Sequence, residues 1–397
     1  MKTILILSGG VSEIPAINCA KELGLNVVVV DRNENAPGFS VPGVIKEVNS
    51  IADKEAVLKI AQKHNVNGIV TFADPGVPAV AYVARKMGLE GLSEESATLG
   101  TNKVEMRKKL KEKGVPVPEF YYVKNKKEYQ DAISHFPERC VVKAPDCAGS
   151  RGIYLVKDTS NFEETDYAYD YSMSFSGTGE ILVEEYMQGQ EICAETISHH
   201  GVCYVVQVTD QKAKQPPYFT DCGYSQPSML DDLTVKRIRE IAIDANLALG
   251  NVDGSSCTEM IVTKDGPKVV ELGLRLAGDF MTTKMVPLSN GVNMAEAVIK
   301  IALGEPIDIT PRFNKGSCVR YFMKERVGRI KEIVGVDEAR RIKGVQAVEI
   351  LKGVGEEATP LRKSADRLGL VIAQGETAKE AVEIAEKALG MIDFIVE

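Results

Sequence analysis

Thr258-Glu-Met-Ile-Val-Thr263, Lys264-Asp-Gly-Pro267 and Lys268-Val-Val-Glu-Leu272 follow one another as an alternating run, a turn and a second extended run. The period of two and the Asp-Gly-Pro turn predict a β-hairpin, which projects Glu259 and Glu271 from paired strands toward one face. Arg275 follows four residues beyond Glu271. Two carboxylates facing a common point suit Mg2+, a hard cation that takes a few carboxylate oxygens together with phosphate oxygens and water. An arginine beside them suits a phosphoryl group in transfer, whose charge it would offset. A solvated hairpin with ordinary surface charges has the same local pattern, so the rest of the chain has to decide between the two.

The 397 residues predict two to three domains with ample core, and 44% hydrophobic with 26% charged residues is an ordinary globular composition. A net charge of −8 argues against a nucleic-acid backbone as principal partner. The eight cysteines, at 19, 140, 147, 193, 203, 222, 257 and 318, show no short paired spacing, so free and mostly buried thiols in a reducing cytoplasm are expected. There are four histidines, and His199-His200-Gly201 reads as a turn between two strands, so neither a histidine triad nor a zinc site is expected. The opening Met1-Lys-Thr-Ile-Leu-Ile-Leu7 is broken by glycines, Ser12 and Glu13 before it reaches signal-peptide length. No apolar run is long enough to predict a membrane span.

The first hundred residues alternate strand and helix. Thr3–Leu7 runs into Ser8-Gly9-Gly10, a helical pattern follows through Ala16, Ala20 and Leu23, and Asn26-Val-Val-Val-Val-Asp31 is again extended. Such fully apolar strands belong to parallel sheets covered on both faces, joined by right-handed crossovers. Helices over 53–64 and 77–87 flank a strand at Gly68–Phe72. Asp31 stands where a dinucleotide-binding fold places its ribose acid, but Ser8-Gly-Gly-Val-Ser-Glu13 lacks the GxGxxG spacing. Asp74 ends the third strand and is either a pocket residue or the N-cap ahead of Pro75.

A different texture begins near residue 101. Asn102-Lys103 opens a basic helix that Gly114 and Pro116 end. Cys140-Val-Val-Lys143 and Ile153-Tyr-Leu-Val156 then enclose a small-residue loop holding Gly149, Ser150, Arg151 and Gly152. The loop reads either as an exposed turn or as a cradle whose backbone N–H groups meet polyphosphate, with Lys143 reaching the same oxygens. It is not a Walker loop, because GxxxxGK[ST] is absent and no helix follows. Ile181-Leu-Val-Glu184-Glu185-Tyr186-Met187 leads through Gln-Gly-Gln to Glu191 and another strand, a connection whose backbone could pair with adenine.

In this order the elements resemble the ATP-grasp superfamily of carboxylate–amine ligases, and the resemblance extends over most of the chain. It implies a mixed α/β and α+β fold: an N-terminal Rossmann-like parallel α/β domain (1–100), then an ATP-grasp domain (101–310) with a small mobile lid (about 115–183) and a larger antiparallel core (184–310), then a C-terminal α/β subdomain (311–397). It further implies that Lys103 and Lys143 contact ATP phosphates, that Gly149, Ser150, Arg151 and Gly152 close over them, and that Glu184, Glu185, Tyr186 and Met187 hold adenine. Glu191 would hold ribose, Glu259 and Glu271 would bind Mg2+ or Mn2+, and Arg275 would face the γ-phosphate and the substrate carboxylate. The family commonly carries Glu-x-Asn-x-Arg; here Gly273 replaces the asparagine, leaving open whether one or two metal ions bind.

No Ser–His or Cys–His nucleophile is evident, so the substrate has to supply the attacking group. The expectation is that a carboxylate attacks the γ-phosphate, giving an acyl phosphate and ADP, and that an amine then displaces phosphate. The insert at 215–227, with Tyr218, Phe219 and Tyr224, resembles the acceptor-pocket segment of L-amino acid ligases or is an ordinary proline-rich loop. Asp74, Tyr218, Phe219, Tyr224 and Arg275 are thus the candidate substrate residues, and Lys143 and Arg275 the candidate catalytic ones. Small carboxylate and amine substrates, a homodimer, a cytoplasmic location and no nucleic-acid or membrane partner complete the expectations. The alternatives are a purine-pathway ligase like phosphoribosylglycinamide synthetase, an NAD-binding oxidoreductase and a non-catalytic nucleotide-binding protein.

Overall fold

A computed structural model describes residues 1–147, 151–213 and 219–397. Gly149, Ser150 and Tyr218 therefore lie outside the described residues. The apolar runs of the first hundred residues form a parallel sheet in the order Ile45–Val48, Asn26–Asp31, Thr3–Leu7, Gly68–Thr71. Leu5, Leu7, Val28 and Val30 pack on one face, against helices Lys54–Lys63 and Val77–Met87. Ile4, Ile6, Val27 and Val29 pack on the other, against helices Ile14–Glu22 and Met294–Ala302. Burial on both faces is why these strands are apolar throughout. Asp31 accepts hydrogen bonds from the Gly9 and Asn33 N–H groups (2.9 and 2.8 Å), which ties its carboxylate to the adjoining loops.

A small antiparallel sheet follows, in the order Phe120–Val123, Ile181–Glu185, Cys140–Lys143, Ile153–Val156. Helices Lys126–Ser134 and Phe162–Phe175 cover it around Tyr129, Val142 and Val183. The main body is an eight-stranded antiparallel sheet. The hairpin of Gly254–Thr263 and Gly266–Gly273 lies at one edge, followed by Gln190–His199, Val202–Ala213 and Asp221–Gln226. Gly316–Phe322, Gly369–Gly375 and Val345–Ile350 continue that sheet, so strands of the tail extend the core rather than forming only a layer of their own. Their hydrogen bonds run between distant segments, which local alternation cannot reveal.

One sequence expectation is corrected. Cys193 and Cys257 are bonded (S–S 2.06 Å), while Cys19, Cys140, Cys147, Cys203 and Cys318 are free thiols. The two are 64 residues apart, and the antiparallel pairing of Gln190–His199 with Gly254–Thr263 brings their Cα atoms to 6.1 Å. Cysteine spacing carries no trace of that pairing. Among the described residues no helix is long and apolar enough to cross a membrane.

Candidate functional site

The Glu259–Glu271 hairpin folds as its alternation predicts, with the two acids directly opposite in register. Like charges in cross-strand partners repel unless a cation or a proton separates them. Withdrawal from water, then Glu271, push the Glu259 carboxyl well above its ordinary range, while Arg275 opposes the shift. No hydrogen-bond or ion-pair partner meets Glu259 among the described residues. Both carboxylates line a cavity of about 840 Å³ that also takes in Lys143, Glu184, Tyr186, Met187, Glu191 and Arg275. Facing carboxylate oxygens, those of Glu259 without a partner among the described residues, are the donor set a hard divalent cation such as Mg2+ or Mn2+ requires.

The cations around this pair are held by acids. Lys103, at the start of helix Lys103–Glu112, places Nζ 3.0 Å from Glu271 Oε1 and donates to the Cys147 carbonyl at 2.7 Å. Burial pulls its ammonium down, yet Glu271, Asp74 and Glu259 outweigh this and keep it above the ordinary lysine range. Lys143 ends the strand that enters the small-residue loop and sits 2.5 Å from Glu184 Oε2. Burial lowers its affinity for a proton, with Arg107 and Lys103 adding to the effect against the pull of Glu184. Burial raises Glu184 in turn, but Arg107 and Lys143 hold it below the usual carboxylate range.

Arg275 and Asp74 form a two-pronged ion pair, Nε to Oδ1 and Nη2 to Oδ2, both 3.0 Å. Asp74 thus lines the cavity with its carboxylate engaged by Arg275, and it makes no N-cap bond through its side chain. It joins the parallel domain to the hairpin's continuation across 201 residues. Gly273 lies beneath this pair: a Cβ there would come 3.2 Å from Asp74 Oδ1 and 3.3 Å from Arg275 Cζ. The residue that departs from the family's asparagine thus leaves room for a guanidinium–carboxylate contact.

The segment 184–191 lies in the cavity wall as expected, although Glu184 points to Lys143 and Arg107, and Glu185 to Lys268 Nζ at 2.9 Å. Glu191 borders the same cavity, and burial, with Asp221 nearby, pushes it up to about 7. Phe219 and Tyr224 line the cavity too, Phe219 lying 6.4 Å from the Tyr186 ring. Arg151 and Gly152 form the turn just before the strand that leaves the loop, and neither is among the described residues that line the cavity. Gly152, with φ of 67°, packs where a Cβ would meet Phe175 at 2.8 Å.

Four residues escaped the sequence reading. Arg107 is fully buried one helical turn after Lys103, with Nε and Nη2 on Glu184 (3.2 and 2.8 Å) and its remaining bonds on the Val269 and Val270 carbonyls. The i, i+4 spacing from Lys103 marks a shared helix face and was the available signal. Asp221 and Asp279 line the cavity, and Arg367 lies behind them. Arg367 Nη1 donates to Asp279 Oδ2 at 2.7 Å, Nε donates to the Asp221 carbonyl at 3.1 Å, and the guanidinium lies 3.9 Å from the Tyr321 ring centre. Tyr224 Oη donates to Asp279 Oδ2 at 2.9 Å. Arg367 Nη2 is buried with no hydrogen-bond partner among the described residues. Burial, then Asp279, push the Asp221 carboxyl up to about 6 against the opposing Arg367. Nothing in the local sequence joins these residues.

Comparison with known proteins agrees with this layout. Residues 17–91 match an ATP-grasp N-terminal domain, residues 100–279 an ATP-grasp domain, and residues 320–397 an L-amino acid ligase C-terminal domain 2. The chain is 26% identical over 413 aligned positions to a formate-dependent phosphoribosylglycinamide formyltransferase of Ignicoccus hospitalis, covering 99% of this chain and 96% of that one. It is 22% identical to an L-arginine-specific L-amino acid ligase of Bacillus subtilis, over 84% of this chain and 82% of that one. An L-amino acid ligase crystal structure from Bacillus licheniformis superposes with a TM-score of 0.84 at 22% identity, covering 100% and 99% of the two chains. The parallel domain, the small sheet, the large antiparallel sheet and three consecutive domain matches place the chain in the ATP-grasp superfamily.

Proposed function

We propose that this chain is an ATP-dependent ligase that activates a small, amino-acid-like carboxylate as an acyl phosphate and joins it to an amine, releasing ADP and phosphate. The observation that carries the reading is one cavity lined by the facing Glu259 and Glu271 carboxylates and Arg275 together with Asp221, Asp279 and Tyr224. In the first step a carboxylate oxygen attacks the γ-phosphorus of ATP and the bond to the β–γ bridging oxygen breaks, so that ADP leaves. In the second, the amine nitrogen attacks the acyl carbon, the acyl–oxygen bond breaks, phosphate leaves, and the nitrogen gives up a proton. Glu259 and Glu271 would hold Mg2+ or Mn2+, which supplies charge compensation to the phosphates when bound.

Lys143 lines the cavity from a strand end, and Lys103, in the first turn of a helix, lies on Glu271 at its wall, positions from which ammonium groups would reach phosphate oxygens. Glu184–Met187 and Glu191 line the wall assigned to adenine and ribose, and Gly149–Gly152 is the segment assigned to cover the phosphates. Arg275 carries the charge that a substrate carboxylate and the transferring phosphoryl group both need. Asp221 and Asp279 offer acceptors for a substrate ammonium, and Arg367 and Tyr224 fix Asp279 in place. Phe219, with Tyr218 beside it in sequence, borders the same cavity.

A coupled ADP-release assay with Mg2+, run across amino acids with and without a second amine, tests the proposal. Amine-dependent ADP formation is expected, and loss of turnover in Arg275→Ala. ADP formation that is independent of any amine, or an Arg275→Ala enzyme with undiminished kcat, overturns it. A second reading, a purine-pathway ligase, is favoured by the formyltransferase relative that matches nearly the whole chain. Against it, Asp74 is the parallel domain's contribution to the cavity wall, and it brings no basic group for a substrate phosphate. Formate with phosphoribosylglycinamide in the same assay separates the two.

A further inference from the structure

We infer that the turn at the far end of the central strand Gln190–His199 carries a second metal site, formed by His199, His200 and Asp253, which takes one divalent transition cation such as Zn2+. A period of two would send consecutive strand residues to opposite faces. Here His200 leaves the strand in the left-handed region (φ 52°) ahead of Gly201 (φ 78°), and the two imidazoles come to the same side with ring centres 3.8 Å apart. Asp253 reaches them from the loop before Gly254–Thr263, 54 residues along the chain. One ligand atom from each of the three residues lies within 4.8 Å of the others.

The distances suit a cation. Metal–nitrogen and metal–oxygen bonds near 2.0–2.2 Å in a tetrahedron put neighbouring ligand atoms about 3.4 Å apart. Asp253 Oδ1 is 3.0 Å from His199 Nδ1 and 3.9 Å from His200 Nδ1, values on either side of that edge. Asp253 is preorganised: its Oδ1 also accepts the His200 N–H at 2.8 Å, and Gly201 N–H bonds the Val252 carbonyl at 3.0 Å. The movable ligand is His200, whose side chain is 80% exposed against 21% for His199 and 14% for Asp253, so closing the last edge costs a rotation at the surface. Two imidazoles and one carboxylate favour Zn2+, Ni2+ or Cu2+ over Mg2+, and leave a coordination position for water or an outside ligand. Cys257, which borders the nucleotide cavity, pairs with Glu195, four residues before His199, so roughly 14 Å of strand at about 3.4 Å per residue separates the site from that cavity. Bound there, the cation ties the 250–254 loop to the turn.

The test uses the full chain freed of metal and titrated with Zn2+ against a chromophoric chelator. The active-site carboxylates are a competing Zn2+ site, so Glu271→Gln is measured beside the wild type. We expect one Zn2+ bound with Kd below about 10 µM in both proteins, and affinity at least about tenfold weaker in His200→Ala and in Asp253→Asn. Loading with Co2+ should give a four-coordinate visible spectrum that disappears in His200→Ala. ADP release in Mg2+ should be unchanged by His200→Ala, whose surface position also makes loss of folding an unsuitable explanation for lost binding. Zn2+ uptake that Glu271→Gln abolishes, or that His200→Ala and Asp253→Asn both leave at wild-type affinity, overturns the assignment, as does a wild type that takes up none.

Discussion

Asp74→Asn changes one atom and one charge, and its consequence can be worked from the geometry. The native pair has two charge-assisted hydrogen bonds of 3.0 Å, from Arg275 Nε and Nη2. Asparagine keeps one acceptor but presents an amide N–H group to the other donor, so one bond is lost and the survivor is no longer ionic. A hydrogen bond to a charged group contributes about 1.5–3 kcal/mol, and 1.4 kcal/mol is a factor of ten. The fraction of Arg275 held in its present orientation should therefore fall by roughly 10- to 100-fold. Asp74 itself is held below the usual carboxylate range: burial opposes ionisation, but Arg275 and Lys103 outweigh it. It stays ionised through neutral pH, so the loss should be the same at pH 6 and pH 8.

Steady-state ADP release, with ATP and carboxylate varied separately, reads the effect. If Asp74 positions an arginine whose partner charge develops during phosphoryl transfer, kcat falls by that factor while both KM values stay within about twofold. A substrate-contacting Asp74 would instead raise the KM of the carboxylate or amine at nearly constant kcat. Combining Asp74→Asn with Arg275→Met sharpens the test, since residues acting through one contact are not additive. Once Arg275 is gone, the aspartate change should cost little more. An Asp74→Asn enzyme with kcat and both KM values at wild-type levels refutes the reasoning.

Gly273→Ala should depress kcat more than it lowers the thermal midpoint, because its Cβ would press on Asp74 Oδ1 and Arg275 Cζ at 3.2–3.3 Å while nothing but that pair has to yield; the kinetic assay with a melting curve checks it. Arg107→Met leaves Glu184 buried with Lys143 as its remaining partner and strips the Val269 and Val270 carbonyls of donors, a loss of about 3–5 kcal/mol in chemical denaturation. Burial pushes the Glu195 carboxyl, which bonds Thr209 Oγ1 at 2.7 Å, up to about 8. The folded state then binds more protons than the unfolded one between about pH 4.5 and 8, so this group's stabilisation is complete at the acid end and declines by up to about 1.4 kcal/mol per pH unit as pH rises. Glu195→Gln should flatten that decline in denaturation midpoints measured at pH 5.5 and 7.5, and an unchanged slope would count against it.

What the sequence made legible were features set within a few residues of each other. The strand Asn26–Asp31 announces itself because both its faces are buried, and the Glu259–Glu271 hairpin because alternation and an Asp-Gly-Pro turn are local. Family order then located Lys103, Lys143 and Arg275. Which acid meets which cation was not legible, because the partners come from distant elements: Glu184 meets Arg107 across 77 residues, Asp74 meets Arg275 across 201, and Asp279 meets Arg367 across 88. Asp74 was read as a pocket acid or a cap since its strand-end position fits both, and only tertiary pairing shows that it grips an arginine. The Cys193–Cys257 bond was invisible for the same reason, a register between strands 64 residues apart.

Those pairings also compensate a cavity rich in charge from within the chain itself. Lys103 lies on Glu271, Lys143 on Glu184 and Arg275 on Asp74, so each cation assigned to phosphate or carboxylate already faces one acid. An unpaired buried charge would cost several kcal/mol, and this arrangement leaves none among the three. Glu259 is the acid left over, and it answers the problem by holding its proton more tightly. On the proposed reading, ATP and a divalent cation do not enter a site of waiting charges. Glu259 and Glu271 would hold the cation, Glu271 would then give up Lys103 to phosphate, and Glu184 would share Lys143 with it. Arg107 keeps Glu184 compensated when Lys143 leaves it, which gives the fully buried arginine a reason to sit one turn behind the lysine. Binding is thus an exchange of ionic partners, and its net strength depends on the acids that are displaced as much as on the ligand that displaces them.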